Sequence, residues 1–293
     1  MNCLQQASGE NYTLIHGDCV ETLSALPSHA IDYSIFSPPF ASLYTYSNSP
    51  RDMGNCRTHG EFFEHFGYLI NELLRVIKPG RNVSFHCMQF PASKERDGYI
   101  GLKDFRGDLI RAFQAKGFIY HSEVVIWKDP VTQMQRTKAL GLLHKSVREN
   151  SAMCRQGLPD YLITMRAPGE QIDRVKHTHD SYPVSRWQKI ASPVWMDIDP
   201  SDTLQYQSAR EHDDERHICP LQLEVVRRGI DLWTNPGDVV LSPFAGIGSE
   251  GHVALQMGRK WIGVELKDSY FRQASRNLAN ALRTTADLFE CSA

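Results

Sequence analysis

Apolar positions along the chain follow two periods in turn. Short apolar runs bounded by turn residues fall at 12–15, 31–36, 83–87, 121–127, 238–241 and 261–264, lengths that suit β-strands. Between them, apolar residues recur at helical spacing over 20–26, 105–115, 221–232 and 272–282. The clearest case is 62–77, where Phe62, Phe63, Phe66, Leu69, Ile70, Leu73, Leu74 and Ile77 share one face before the stop at Pro79-Gly80. As far as Trp127 the order is strand, helix, strand, helix, strand. That alternation predicts an α/β fold, with a parallel sheet wound by crossover helices.

From Lys128 to about Arg216 neither period holds. Short segments rich in Gln, Arg, His, Pro and Trp take over, including Gln133-Met134-Gln135-Arg136 and Ser185-Arg186-Trp187-Gln188-Lys189. The expected organisation is therefore one α/β domain in two halves, 1–127 and 217–293, interrupted by a loop-rich insertion at 128–216. Residues 41–60 have no apolar period and are expected to form a loop beside any site at the sheet edge.

Two turns carry the candidate chemistry. After the strand near 238–241, Gly246, Gly248 and Gly251 fit G-x-G-x-x-G, with a helix starting at Ser249. The next strand ends at Glu265. Glycines let a backbone approach a nucleotide, and a carboxylate at that strand end bonds ribose hydroxyls. A dinucleotide and S-adenosylmethionine would suit this pattern equally.

The second turn is Ser37-Pro38-Pro39-Phe40, directly after strand 31–36. Paired prolines forbid both helix and central strand, so the turn stands at the carboxyl edge of the sheet, where open α/β folds bind ligands. An exocyclic amine of adenine or cytosine is a poor nucleophile because its lone pair is delocalised. The Ser37 hydroxyl and the Pro38 carbonyl are two rigid acceptors that can draw such an amine toward tetrahedral geometry, and Pro39 stiffens the turn. Phe40 can stack on a base flipped from the duplex. Taken singly, Ser37 ends a strand, Phe40 is a core aromatic, Asp18 caps a helix and the glycines pack. Their joint order at strand ends is the signal.

Charge is segregated although the net charge is only −2. Residues 128–189 hold eleven Lys and Arg against six Asp and Glu, and 191–218 hold two against seven. A basic surplus of that kind can neutralise phosphates. Seven dispersed cysteines without a C-x-x-C pair suit reduced thiols. His177, His179, His212, His217 and Cys219 lack a recognised ligand spacing, so no metal is expected. With no apolar run long enough for a bilayer and no signal-peptide core in 1–12, a cytoplasmic location is expected.

Ser-Pro-Pro-Phe after a strand, followed far downstream by Phe-Ala-Gly-Ile-Gly, resembles the amino-methyltransferases that modify DNA. The catalytic motif precedes the cofactor motif, which is similar to the β arrangement of that family. The resemblance implies a Rossmann-like S-adenosylmethionine-dependent methyltransferase fold, with 128–216 as target-recognition region and double-stranded DNA as partner. By it Ser37, Pro38, Pro39 and Phe40 are catalytic. Phe244, Gly246 and Gly248 line the methionine and ribose part of the cofactor, Glu265 bonds the ribose and Asp18 meets the adenine end. The segment from His217 to Leu221 resembles the motif before the first cofactor helix only at His217 and Pro220. The tetrapeptide leaves the base open between adenine N6 and cytosine N4. The long aromatic loop favours adenine N6.

Two readings of other classes stand beside this one. A nicotinamide-dependent oxidoreductase would use the glycines and Glu265 but leave Ser37–Phe40 unexplained. A DNA-binding protein with a decayed site would not need intact acceptors at 37 and 38. A homodimer is the general prior for soluble proteins, and neither a nuclease partner nor a recognition sequence is legible.

Overall fold

The structure, a computed structural model, describes residues 4–40, 52–137, 142–205 and 220–290. Strands β1 (Gln5–Gly9) and β2 (Tyr12–His16) form an antiparallel hairpin. Helix α1 (Cys19–Ser24), β3 (Ile31–Phe36), α2 (His59–Val76) and β4 (Ile77–Met88) follow. A small ribbon of β5 (Phe90–Ala92) and β6 (Gly101–Lys103) flanks the short α3 (Lys94–Asp97). Next come α4 (Phe105–Ala115) and β7 (Ile119–Ile126). The stretch read as an insertion holds α5 (Pro130–Thr137), α6 (His144–Asn150), β8 (Asp160–Arg166), α7 (Val184–Ile190) and β9 (Val194–Trp195). The chain then runs through α8 (Leu223–Trp233), β10 (Val239–Ser242), α9 (Ser249–Gln256), β11 (Lys260–Glu265) and α10 (Asp268–Glu290).

Nine strands make one sheet in the order β1-β2-β11-β10-β3-β4-β8-β7-β9. From β2 to β4 every neighbouring pair is parallel. Such strands are covered on both faces, which is why they read as continuous apolar runs. All six residues of β3 are buried. Ile31 and Phe36 join a core beneath α1, α2 and α4, and Tyr33 and Ile35 join a second core beneath α8, α9 and α10. Two apolar cores on opposite faces are the doubly wound arrangement expected from the alternation. Among the described residues no helix is long and apolar enough to cross a membrane.

The structure departs from the sequence reading at β8. The simple alternation sets β7 beside β4, but β8 lies between them and runs antiparallel to both. Its Leu162 faces the second core while Ile163 and Met165 face the first. The strand was hidden because it is a single seven-residue run between Pro159 and Pro168, inside a stretch with no other period. Strand β4 also begins earlier than expected, at Ile77. It passes through Pro79-Gly80, where Gly80 takes a left-handed φ of 72°, and the register with β3 shifts between Ile31 and Tyr33.

Candidate active site

The carboxyl ends of β2, β3, β10 and β11 converge on one cavity. From the gap between β10 and β3 the connections depart in opposite directions. Helix α9 packs in the core below β11 and α2 in the core below β4, on opposite faces. This is a topological switch point, where open α/β sheets leave a crevice for ligands. Gly17 and Asp18 follow β2, Ser37–Phe40 follow β3, Pro243–Ile247 follow β10 and Glu265–Lys267 end β11, and all of them line the cavity.

The sequence-derived residues fall as follows. Ser37, Pro38, Pro39, Phe40, Asp18, Pro220, Phe244, Gly246 and Glu265 all line this cavity. Gly248 is not among the lining residues. It caps α9 at a left-handed φ of 85°, and a Cβ there would meet Ala274 of α10 at 3.3 Å. Its hydrogen thus serves the turn and the packing of α9 on α10. Gly246 differs, because among the described residues nothing lies within 4 Å of where its Cβ would stand. His217 lies outside the described residues, as do His212 and Cys219.

Asp18 has two surroundings at once. Its Oδ1 accepts from Glu21 N at 2.9 Å, the cap that starts α1, and the same residue borders the cavity. Glu265 is held more tightly. Gly246 N donates to its Oε2 at 2.7 Å and Lys267 N to its Oε1 at 2.8 Å. Burial pushes this carboxyl up to about 7 despite those two donors. Glu250, in the first turn of α9, is also buried in the cavity wall, and burial pushes it up to about 8 with a further rise from Glu265. Phe244 rests against Phe36 and Phe66, at ring separations of 5.8 and 6.5 Å, and Phe40 meets Phe90 edge-on at 6.0 Å.

Sequence reasoning missed several lining residues. Glu250 reads only as an acidic residue at a helix start, and its isolation from water was not legible. Asp52, which caps the 3-10 turn Met53–Asn55, and Met53 came from a stretch read as polar loop. Lys267 and Tyr270 form a cation–π pair at 4.5 Å on the cavity wall. His86, which contacts Ser37 Oγ at 3.2 Å through Nδ1, was inside a run read as plain core.

Ion pairs join the stretch 184–197 to α8. Arg228 of α8 is buried and donates to Asp197 at 2.8 Å, with its guanidinium 4.9 Å over the Trp195 ring. Arg186 pairs with Asp231 at 2.7 Å and Lys189 with Asp197 at 2.9 Å. Together with Lys128, which pairs with Asp160, these cations of the basic stretch are engaged internally. Among the described residues no group of three or more His, Cys, Asp and Glu is gathered as a metal site would need.

Residues 31–276 match the DNA methylase family. The chain belongs to that family. It is 25% identical over 287 residues to DNA adenine methyltransferase YhdJ of Escherichia coli (strain K12), covering 95% of this chain and 86% of that protein. It is 28% identical over 284 residues to type II methyltransferase M1.MboII of Moraxella bovis, covering 88% and 93%. The structure of TTHA0409 from Thermus thermophilus, complexed with S-adenosyl-L-methionine, aligns with a TM-score of 0.68 at 20% identity over 93% of this chain and 96% of that one. PvuII DNA methyltransferase, cytosine-N4-specific, aligns with a TM-score of 0.66 at 16% identity over 98% and 97%. The fold is that of the S-adenosylmethionine-dependent DNA methyltransferases. The chain is an enzyme of the N6-adenine or N4-cytosine kind, which sets the oxidoreductase reading aside.

Proposed function

We propose that this chain methylates the exocyclic amine of a base flipped out of double-stranded DNA, with adenine N6 favoured over cytosine N4 and S-adenosylmethionine as donor. The observation that carries the reading is the meeting of Ser37–Phe40 and the Gly246–Glu265 hydrogen bond on one cavity. The preference for adenine rests on YhdJ, a DNA adenine methyltransferase similar over 95% of this chain.

The residues present fit such a donor. Two buried carboxyls, Glu250 and Glu265, suit a cationic ligand, and the open backbone at Gly246 leaves room for one. Glu265 would take the ribose hydroxyls with the lone pairs its backbone donors leave free. Asp18 would meet the adenine end, Phe244 and Gly246 the ribose and methionine part, and Gly248 would keep the turn in shape. Pro220, with His217 in the same motif, would border the methionine end. When bound, the donor supplies an electrophilic methyl group.

The chain's own part is to hold the amine. The Ser37 hydroxyl and the Pro38 carbonyl accept its N–H groups, which localises the nitrogen lone pair, and Phe40 stacks on the base. Residues 128–216 would form the target-recognition region, with the remaining basic side chains on phosphates. The reduced cysteines among the described residues, Cys19, Cys56, Cys87 and Cys154, suit a cytoplasmic location.

The test is transfer of labelled methyl from S-adenosylmethionine to unmethylated genomic DNA, followed by nucleoside mass analysis. N6-methyladenine is the expected product. N4-methylcytosine would keep the reaction and change the base. No label in DNA, with donor binding intact, would overturn the reading.

A further inference from the structure

Behind Ser37 lies a chain of polar groups that crosses the sheet. Ser37 Oγ is 3.2 Å from His86 Nδ1 on β4, and His86 Nε2 is 2.9 Å from Asp160 Oδ2 at the start of β8. The same Oδ2 is paired with Lys128, just past the end of β7, and Oδ1 has no hydrogen-bond partner among the described residues. Asp160 and His86 are both buried. The contact is possible because β8 enters the sheet antiparallel. Asp160 at its first position pairs in register with Met88 and with Ile126, so the carboxylate arrives at the edge where β3 and β4 end.

The chemistry of these four groups fixes the donor at the two contacts of Asp160 and leaves the contact with Ser37 to the state of the His86 ring. Burial alone would raise the Asp160 carboxyl, but the imidazole of His86 and the ammonium of Lys128 outweigh it and hold it below the ordinary value. An ionised carboxylate can only accept, so His86 must donate from Nε2. Lys128 pairs with the same Oδ2, so the Asp160 charge is shared between two donors. A neutral ring protonated on Nε2 carries a lone pair on Nδ1, and the Ser37 hydroxyl must donate to it. The only proton of Ser37 is thereby used, and both of its oxygen lone pairs are left for the cavity.

We propose that His86 is a positioning residue for methyl transfer, held by Asp160 and Lys128 in the tautomer that turns Ser37 into a pure acceptor for the target amine. The inference rests on Ser37 receiving an amine, as in the function proposed above. Without His86 the hydroxyl would rotate freely and spend part of its time offering a proton to the amine, which opposes transfer.

Two measurements test it. The first needs no substrate: ring 15N–1H spectra of the labelled full chain, with His86 assigned by its loss in His86→Phe. The expected result is the Nε2–H tautomer in the wild type and the Nδ1–H tautomer in Asp160→Asn, whose amide can donate to Nε2. An Nδ1–H ring or a doubly protonated ring in the wild type near pH 7.5 would overturn the proposal, whatever the enzyme methylates.

The second is single-turnover transfer to DNA. His86→Phe and Asp160→Asn should each slow the step about 100-fold, the scale of losing one preorganised polar partner, with affinities for S-adenosylmethionine and DNA unchanged. His86→Asn, whose Oδ1 can stand where Nδ1 stood, should recover part of the rate, and His86→Gln should not. Full rate in Asp160→Asn, or equal rates in the Asn, Gln and Phe variants, would overturn it. A wild type inactive on every DNA would instead remove the function proposed above and leave the tautomer result standing.

Discussion

The backbone N–H of Gly246 donates to the carboxylate of Glu265 at 2.7 Å, which ties the turn after β10 to the end of the neighbouring β11. The bond sets the glycine turn and the acidic strand end as one rigid unit, and burial then holds that unit against water. Glu265 and nearby Glu250 consequently bear raised proton affinities on the cavity wall. The site is arranged as a low-dielectric wall that gains from a positive ligand.

Proton release on donor binding follows. Both carboxyls have folded values above their unfolded value of 4.5, at about 7 and about 8. Between about 4.5 and about 8 the folded protein therefore binds more protons than the unfolded one, and ligand-free stability falls as pH rises through that window. A cationic ligand favours the ionised forms, so S-adenosylmethionine affinity should rise from pH about 6 to about 7.5, with protons released. Titration calorimetry in buffers of different ionisation enthalpy reads the release, and Glu250→Gln should diminish it. Binding with no proton release in the wild type would refute this account.

On the proposed reading, Ser37→Ala removes one acceptor for the amine together with the contact to His86. Transfer should fall about 100- to 1000-fold, the cost of one preorganised contact, while S-adenosylmethionine binding stays at the wild-type level. Equal losses of binding and transfer would make Ser37 a structural residue.

Gly251→Ala tests the helix–strand contact behind the turn. An added Cβ would stand 2.7 and 2.9 Å from ring atoms of Trp261 and 2.6 Å from Leu278. Leu278 can yield, but Trp261 is buried and fixed. Alanine gains about 1 kcal/mol of helix propensity and loses about 2–3 kcal/mol to overpacking. We expect a net loss of about 1–2 kcal/mol, read as a lower melting temperature with altered tryptophan emission. A melting temperature at or above that of the wild type would refute the tight contact.

Arg228→Met should loosen α7 and β9 without touching the cavity. It deletes bonds to Asp197 and Glu224 and the guanidinium over Trp195. A hydrogen bond to a charged group contributes about 2 kcal/mol. Hydrogen exchange should accelerate over Val184–Trp195, and DNA affinity should weaken more than donor affinity. Unchanged exchange there would show that β9 pairing alone holds the segment.

DNA affinity should also fall along a straight line in log salt, since phosphate neutralisation releases counterions. The slope should be shallower than eleven cations would give, because Lys128, Arg186 and Lys189 are engaged with carboxylates. A response that is flat in salt would mean that 128–189 is not a DNA surface.

The parts of this site legible in the sequence were those that obey local rules. Two prolines end a strand wherever they occur, and glycines before a helix declare a turn, so Ser37–Phe40 and Gly246 could be read without a fold. Strand β8 could not, because seven residues between prolines carry no period of their own and acquire their place only by pairing. His86 was illegible for a related reason. On a buried strand a histidine reads as core, and only Asp160, arriving from β8, gives it a role. Gly248 shows another limit: the motif places it in the glycine turn, but only the fold shows that a side chain there would press on Ala274.

The position of β10 and β11 also bears on how the chain is made. These two strands sit between β2 and β3, which precede them by most of the length of the protein. While the polypeptide emerges from the ribosome, β2 has no partner but β1, and one side of β3 has none. Neither gap can fill until the residues after Val239 appear. Contacts of such long separation are slow to form and leave bare edges in the meantime. Nascent chains halted before Val239 should therefore carry an incomplete sheet and depend on chaperones, so that even the Ser37 turn acquires its setting only once the residues after Val239 have been made.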